Sequence, residues 1–477
     1  MFKKSARFQI KENKDFATLG DIVFPMRTMR ILALTDSVPS KDSRILREAR
    51  VLASAGGFEV DIVGLSDDPR GVGAWQHFRA GRGKSFRVYE IPKPTFNGSV
   101  ITLLVKMWLP ASKILAMRAT IRAWQKSRVR RFLAKAVVMK TSLLASKTRA
   151  MRAAIRAWVR AIVPRSLATV VASFILQGNW FANRLGTITD THNYDFVHCH
   201  DSVFLAAGRR IARKAGAKLI YDSHELATRR NLQTRSKRLL TSIVERITWP
   251  HVDLLISVSQ SIVDFNLRTY GRKKSLVVVN TPEVPGGNTP QMVGTVRTRS
   301  RCSQEDVLAV YIGSLTSGRG IDAILEAAKL EVPGLHFAFL GSGPLRDAIS
   351  LAAGELANVS LIEPVDSDQV VGFLRDADVG FCLIEPVTLS YEYSLPNKLF
   401  ESLFAGLRVV AYPRKEIAKV LEEVGGGVLV EQSTPEELVR ACFAAHALRP
   451  AKTEALERYS LSRVGNSLVE AYRQLSA

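Results

Sequence analysis

The sequence predicts an α/β protein of two doubly wound parallel-sheet domains facing one cleft. Three observations lead there. Two series of short apolar strands alternate with helices, one over 29–280 and one over 302–452. A stretch rich in Pro, Gly, Thr and Arg, 281–301, reads as a linker between them. And 477 residues exceed one ordinary domain. Strands of this kind are covered by helices on both faces. Ligands of such sheets bind outside the carboxyl ends of the strands, so two facing sheets predict a site between them.

The first 28 residues read as a flexible tail. Arg30–Thr35 is a short apolar strand, Asp42–Ala55 a helix with Asp42 or Ser43 placed to cap it, and Phe58–Leu65 the next strand. This β-α-β opening predicts parallel pairing. After residue 190 come strands at Tyr194–His198, Ala217–Tyr221, Asp253–Val258 and Ser275–Asn280. Helices lie between them at Val203–Ala215, Thr234–Trp249 and Ser259–Tyr270. The second series has strands at Val307–Ile312, Leu335–Leu340, Asn358–Ile362, Asp378–Ile384, Leu407–Tyr412 and Gly427–Val430. Its helices start near Gly320, Pro344, Ser367, Pro396, Lys415 and Thr434. A last helix over about Thr453–Ser476, within 453–477, can pack back on the N-terminal domain.

Hydrophobic residues make up 47% and charged residues 23%, the balance of a folded chain rather than a disordered one. No apolar run reaches the ~18–20 residues of a membrane span, and the N-terminus lacks the apolar stretch of a secretory signal. The expected location is the cytoplasm. Cys199, Cys302, Cys382 and Cys442 are scattered without a CxxC pair and read as reduced, buried thiols.

The net charge of +23 is uneven. No acidic residue occurs between Glu90 and Asp190, where 18 lysines and arginines lie. Residues 97–190 read as a basic helical insertion. It repeats ASKILAMRATIRAW at 111–124 as ASKTRAMRAAIRAW at 145–158. Met151, Ile155, Trp158 and Ile162 share one helical arc, and Arg149, Arg152, Arg156 and Arg160 lie opposite. Such a helix suits an anionic membrane surface on the inner face of the cell membrane, or packing against the rest of the chain. Nucleic acid is not expected, because no base-stacking module accompanies the charge.

The chemistry concentrates in the second series. Gly313-Ser314-Leu315-Thr316-Ser317-Gly318-Arg319-Gly320 joins a strand to a helix start, where backbone N–H groups and a guanidinium can hold a phosphate. Gly341-Ser342-Gly343 lets a ligand approach the backbone, and Glu363-Pro364-Val365-Asp366 can meet a base through main-chain groups. In Ser394-Leu395-Pro396-Asn397-Lys398-Leu399-Phe400-Glu401, Pro396 suits the first helical position. Lys398 then opposes the charge preference of a helix N-terminus, which makes sense where an anion binds. Glu401 can take two hydroxyls of a ribose. On the N-terminal side, Asp222-Ser223-His224-Glu225 follows a strand, and Asp36, Asp42 and Arg44 lie on the first strand-to-helix loop. His198, Cys199 and His200 read as alternating along a strand end without converging, and no metal-ligand cluster stands out.

The order GSLTSGRG, FLGSGPL, IEPVDSDQV and YSLPNKLFESLFAG resembles the donor-binding lobe of family-four retaining glycosyltransferases, the glycosyl transferase group 1 type. DFVHCHDSVFLAAG and AKLIYDSHEL agree in the other lobe. The resemblance covers roughly 29–95 and 190–475 and leaves the basic insertion outside. It implies the GT-B fold, two Rossmann-like domains, and sugar transfer from a nucleoside diphosphate sugar with retention. Arg319 and Lys398 would contact the donor diphosphate and act in catalysis. Glu401 would bind the ribose as the second acid of E-x7-E. Gly313, Ser314, Gly341, Gly343, Pro364, Val365, Ser394, Leu395, Asn397 and Leu399 would line the donor pocket. His224 and Glu225 would contact the reacting sugar or acceptor and act in catalysis, with Asp36, Arg44, Asp222 and His224 on the acceptor side. No metal and no cofactor beyond the nucleotide-sugar co-substrate is implied.

Two departures stand out. Tyr393 occupies the position of the first acid of E-x7-E, and Ser314 stands where an arginine often follows the loop glycine. The acceptor this reading favours is a lipid-linked sugar or a growing polysaccharide. A non-catalytic membrane-associated nucleotide-sugar scaffold and a nucleotide-sugar epimerase of the same fold remain alternatives.

Overall fold

The computed structural model describes residues 27–66, 68, 72–81, 83–92, 181–231, 233–284, 294–431 and 434–476. Most of the expected N-terminal tail and of the basic insertion, and part of the expected linker, lie outside the described residues.

The N-terminal domain carries β1 (Met29–Leu34), β2 (Phe58–Ser66), β3 (Val72–Gly81), β4 (Lys84–Pro92), β5 (Phe196–His200), β6 (Lys218–Ser223), β7 (Leu254–Ser257) and β8 (Lys274–Val277) in the order β3-β4-β2-β1-β5-β6-β7-β8. Helices α1 (Ser43–Ser54), α2 (Leu205–Ala215), α3 (Arg235–Thr248) and α4 (Gln260–Tyr270) accompany it. Asp42 accepts from Ile45 N at the start of α1, and Thr234 and Ser259 cap α3 and α4 in the same way. Each cap satisfies one of the free N–H groups of a first turn.

The parallel expectation fails at one edge. β3 runs antiparallel to β4, with Phe78 opposite Phe86 and their rings stacked at 5.5 Å, while β4 lies parallel to β2. The pair 72–92 has a glycine turn at Gly81 and Gly83, both with positive φ, so the chain turns straight back instead of crossing over.

The C-terminal domain carries β9 (Val307–Ile312), β10 (Leu335–Leu340), β11 (Val359–Ile362), β12 (Val379–Cys382), β13 (Arg408–Ala411) and β14 (Gly427–Leu429) in the parallel order β11-β10-β9-β12-β13-β14. Its helices are α5 (Val296–Ser300), α6 (Ile321–Ala328), α7 (Arg346–Glu355), α8 (Val370–Leu374), α9 (Leu389–Glu392), α10 (Asn397–Phe404), α11 (Lys415–Val424) and α12 (Pro435–His446). β9 and β10 are buried along their whole length, as a sheet covered on both faces requires. The expected linker ends inside this domain. α5 buries Val296, and Arg297 bonds the carbonyls of Asp306 and Asp376.

The last helix is two helices, α13 (Thr453–Glu457) and α14 (Leu461–Ser476). Ser460 Oγ accepts from Arg463 N, so a new cap restarts the helix after a turn. α14 crosses back to the N-terminal domain. Leu468, Val469 and Tyr472 join the core of Ile45, Ala49, Val60 and Phe196. Gly465 permits the close approach, because a Cβ there would lie 2.7 Å from Val51. Among the described residues, no helix is long and apolar enough to cross a membrane.

Candidate active site

A cleft of about 520 Å³ lies between the carboxyl ends of both sheets. Asp42, Arg44, His224, Glu225 and Asn280 line it from one domain. Gly313, Ser314, Arg319, Ser390, Ser394, Leu395, Asn397, Lys398 and Glu401 line it from the other. Gly341, Gly343, Pro364, Val365 and Leu399 do not line this cavity. Leu399 is fully buried in the core, Pro364 is exposed, and Val365 packs against the core.

On the C-terminal side the cavity meets the first turn of α10. Pro396 is the extended N-cap, one position before the first helical residue expected for it, so Asn397 and Lys398 open the helix. Lys398 is 5% exposed and its Nζ has no hydrogen-bond partner. It lies 3.6 Å from the centroid of the Tyr311 ring. Burial lowers its pKa to about 7. Arg319 stands nearby over the Tyr391 ring, with its Nε also unpartnered. Two cations without carboxylate partners beside a helix N-terminus form a site built for an anion. Burial raises the pKa of Glu401, with Arg47 and Lys398 opposing.

The loop glycines have a packing reason. A Cβ at Gly341 would meet the Gly313 carbonyl at 1.9 Å, and one at Gly343 the Leu315 carbonyl at 2.4 Å. The two loops therefore touch through bare backbone, and Gly341 supports the floor beneath the site.

On the N-terminal side Asp222 is a hub. Its carboxylate takes a bidentate bond from Arg44, at 2.9 and 3.2 Å to Oδ2 and 3.1 Å to Oδ1. It also meets His224 Nε2 at 3.0 Å and His200 Nδ1 at 3.4 Å. Burial opposes this charge, but Arg44, His224 and the imidazoles of His198 and His200 outweigh it and hold the carboxyl well below the usual range. Asp222 is fully buried and Arg44, in the first turn of α1 rather than on the loop, is 4% exposed. These two residues position others. Of the imidazoles around Asp222, His224 is the one that lines the cleft. Burial works against its charge, yet Asp222 and Asp201 prevail and raise its pKa to about 9. At neutral pH it is an imidazolium, a donor rather than a base.

Glu225 and Asp201 share Arg230, at 2.9 and 2.8 Å. Burial and Asp201 raise the pKa of Asp36, which belongs to this cluster. Asp201 holds a positive φ of 61°. Nothing in the residue pattern around Asp201 and Arg230 singled them out.

His198 and His200 do converge. A strand has a side-chain period of two, so they share one face and stack at 4.1 Å, while Cys199 points to the other. Glu48, His198, His200 and Asp222 place ligand atoms within 4.8 Å of one another, a metal-like spacing. The Arg44 guanidinium already bonds Asp222 and pairs with Glu48 at 3.0 Å. That one cation faces both carboxylates, while both oxygens of Glu48 and Nε2 of His198 have no hydrogen-bond partner.

Tyr393 is not among the residues that line the cavity. Its ring packs with Leu226, Val258 and Ile262 of the other domain, and its carbonyl accepts from Ser259 Oγ at 2.7 Å. Ser390 Oγ donates to Glu225 Oε2 at 3.3 Å and accepts from Leu226 N at 3.2 Å. Glu416 caps Ser261 N across the same interface at 2.7 Å. These contacts bridge the two domains beside the cleft.

A family model described as "Glycosyl transferases group 1" matches residues 306–446, and one described as "Glycosyltransferase Family 4" matches 122–282. The chain belongs to the group 1 glycosyltransferases. The second match begins inside the basic segment, which the sequence motifs alone had left outside the family. A curated relative, EpsD of Bacillus subtilis (strain 168), is 26% identical over 196 residues, 36% of this chain. The chain spans about half, 48%, of that relative's length. Among solved structures, sucrose-phosphate synthase of Thermosynechococcus elongatus has a TM-score of 0.60 at 14% identity, covering 94% of this chain and 99% of that one. HepE of Anabaena in complex with UDP and glucose has 0.55 at 13%, covering 93% and 99%. These likenesses establish the GT-B fold, with two α/β domains.

Proposed function

We propose that this chain is a retaining, metal-independent hexosyltransferase that moves a sugar from a nucleoside diphosphate sugar to an acceptor hydroxyl. The observation that carries the reading is the pair Lys398 and Arg319, unpartnered on the cleft wall beside the N-terminus of α10. A leaving nucleoside diphosphate needs its developing phosphate charge stabilised, and each such donor contributes ~3 kcal/mol in a transition state. Glu401 takes the ribose hydroxyls. The bond from the sugar carbon to phosphate breaks, and the acceptor oxygen bonds that carbon on the same face. Its proton passes to the departing phosphate. This route needs no strong protein base, in keeping with an imidazolium at His224. The interdomain contacts of Ser390 and Tyr393 tie the two domains together beside the cleft.

The proposed acceptor is a lipid-linked or polysaccharide glycan at the inner face of the membrane. The support is the 18 basic residues between Glu90 and Asp190 in a chain otherwise near charge balance. Binding to anionic vesicles that weakens with salt, and no binding to neutral vesicles, is the expected result.

The deciding experiment is a thermal-shift panel of UDP, GDP, ADP, dTDP and their sugar conjugates on wild type and Glu401→Ala. UDP goes first because HepE of this fold was crystallised with it. One nucleotide should raise the melting midpoint, and Glu401→Ala should abolish the shift. No shift with any nucleotide overturns the donor reading.

A further inference from the structure

Tyr472 lies on α14, at the far end of the chain from the cleft-forming segments, yet its hydroxyl enters the chemistry of the N-terminal domain. It is fully buried, and its Oη lies 2.8 Å from Nδ1 of His198. His198 stacks on His200 with ring centroids 4.1 Å apart and planes 22° apart. His200 Nδ1 in turn lies 3.2 Å from Nε2 of His224. Three imidazoles thus run from α14 to the cleft wall.

We propose that Tyr472 is a positioning residue for His224, acting through the stacked rings of His198 and His200. The inference rests on the glycosyl-transfer reading for its kinetic consequence and on geometry alone for its structural one.

The hydrogen-bond directions are set by the neighbours. Nε2 of His198 points toward the Asp222 carboxylate, 3.8 Å away, and has no other partner. An N–H there faces a negative charge, whereas a lone pair there would be repelled. In a neutral ring with its proton on Nε2, Nδ1 is the acceptor and Tyr472 the donor. Tyr472 is suited to donating, because burial first, and Glu48 and Asp222 next, keep its hydroxyl protonated. With Nδ1 fixed, the His198 ring cannot rotate, and it forms a flat support for His200. The groups that face the chain are Glu48, Asp222 and Arg44 at its buried end. At its cleft end they are Asp201, Glu225 and Arg230, with Asp222 again at its centre.

Among the described residues, Tyr472 is the hydrogen-bond partner of His198 Nδ1. Tyr472 is seated by edge contacts with Phe196 at 4.9 Å and Phe58 at 5.9 Å. Those ring contacts survive a change to phenylalanine, so Tyr472→Phe removes one hydroxyl and leaves the packing.

The test uses the full chain labelled at its histidine rings and compares ring nitrogen spectra of wild type and Tyr472→Phe. The eight histidines supply their own controls. The signals of His198, His200 and His224 should all move, and those of His77, His192, His251, His336 and His446 should stay. A change confined to His198 overturns the proposal, because it would show a local packing bond that reaches no further. His198→Asn is the second variant. It removes the stacked ring while leaving a small polar side chain near Tyr472, and it should move His200 and His224 alike. Unmoved signals in both variants also overturn the proposal.

Kinetics add a second readout. Tyr472→Phe should lower kcat roughly fivefold, the factor that one lost neutral hydrogen bond gives, with the donor KM unchanged. A loss only in donor KM overturns the positioning role. If wild type shows no turnover at all, the glycosyl-transfer reading fails, and the spectra still decide the relay.

Discussion

The Nζ of Lys398 lies 3.6 Å from the centre of the Tyr311 ring, with that aromatic face in place of a carboxylate partner. A buried ammonium in this setting gives up its proton easily, and its pKa falls to about 7. A diphosphate on α10 would restore the charge.

Donor binding should therefore take up protons. Above pH 7 the empty site holds neutral Lys398 and the filled site holds the cation. Affinity for the selected nucleoside diphosphate should fall as pH rises from 7 to 9. Calorimetry at pH 8 in two buffers of different ionisation heat should show the uptake. Equal heats in both buffers would contradict it.

The same lysine costs stability. Its folded pKa lies below its ordinary value of 10.5, so the cost grows as pH falls from 10.5 to 7 and is full below 7. Lys398→Met should raise the melting temperature by a few degrees at pH 7. It should also lower kcat/KM by about 10²–10³. A variant that is both less active and less stable would argue against an anion site.

His224 has the opposite sign. Its pKa is raised from 6.5 to about 9, so its stabilisation is complete below 6.5 and is lost as pH rises through 9. Lys398 opposes this over the same window, so the difference between wild type and His224→Gln is the useful quantity. That difference should shrink between pH 6.5 and 9.5 in thermal melts. A constant difference would mean that His224 is neutral when folded.

Tyr393→Glu restores the acid usual in the family but places it among Leu226, Val258 and Ile262. Lys415 Nζ, 5.7 Å from the Tyr393 ring centroid, faces the position from one side, but a carboxylate against these apolar side chains still loosens the packing between the domains. The variant should melt lower and bind donor more weakly than wild type. Higher activity would show that Tyr393 faces the sugar after all.

Gly341→Ala tests the loop floor. Its Cβ would overlap the Gly313 carbonyl, so the phosphate-side loop must shift. A stability loss of about 1–3 kcal/mol together with lost donor affinity is expected. Unfolding in denaturant and the nucleotide thermal shift measure the two effects.

Much of this was legible in the residues. Strand and helix alternation placed nearly every element because short apolar runs and their caps, such as Asp42 and Ser259, are local signals. Lys398 was legible because a cation in a helix first turn breaks a rule. Other features were not local. Arg44 and Asp222 lie 178 residues apart, and Tyr472 and His198 lie 274 apart. No spacing reveals such pairs. The β3–β4 hairpin was hidden because its glycine turn resembles an ordinary loop. His198 and His200 were misjudged although the strand period itself puts them on one face. The packing of Tyr393 against the other domain depends on how the two domains meet, which no single segment encodes.

The path of α14 sets the order in which the molecule can be finished. The sheet that begins the chain lacks part of its core until residues 468–472 have been synthesised. The second domain can close its own core earlier, once residue 457 is made, because α13 supplies Leu456 to that core. The first domain must wait at the ribosome with Ile45, Val60 and Phe196 incompletely covered. A stalled or shortened product would thus expose the apolar surface of its oldest part, which is where a chaperone would bind it.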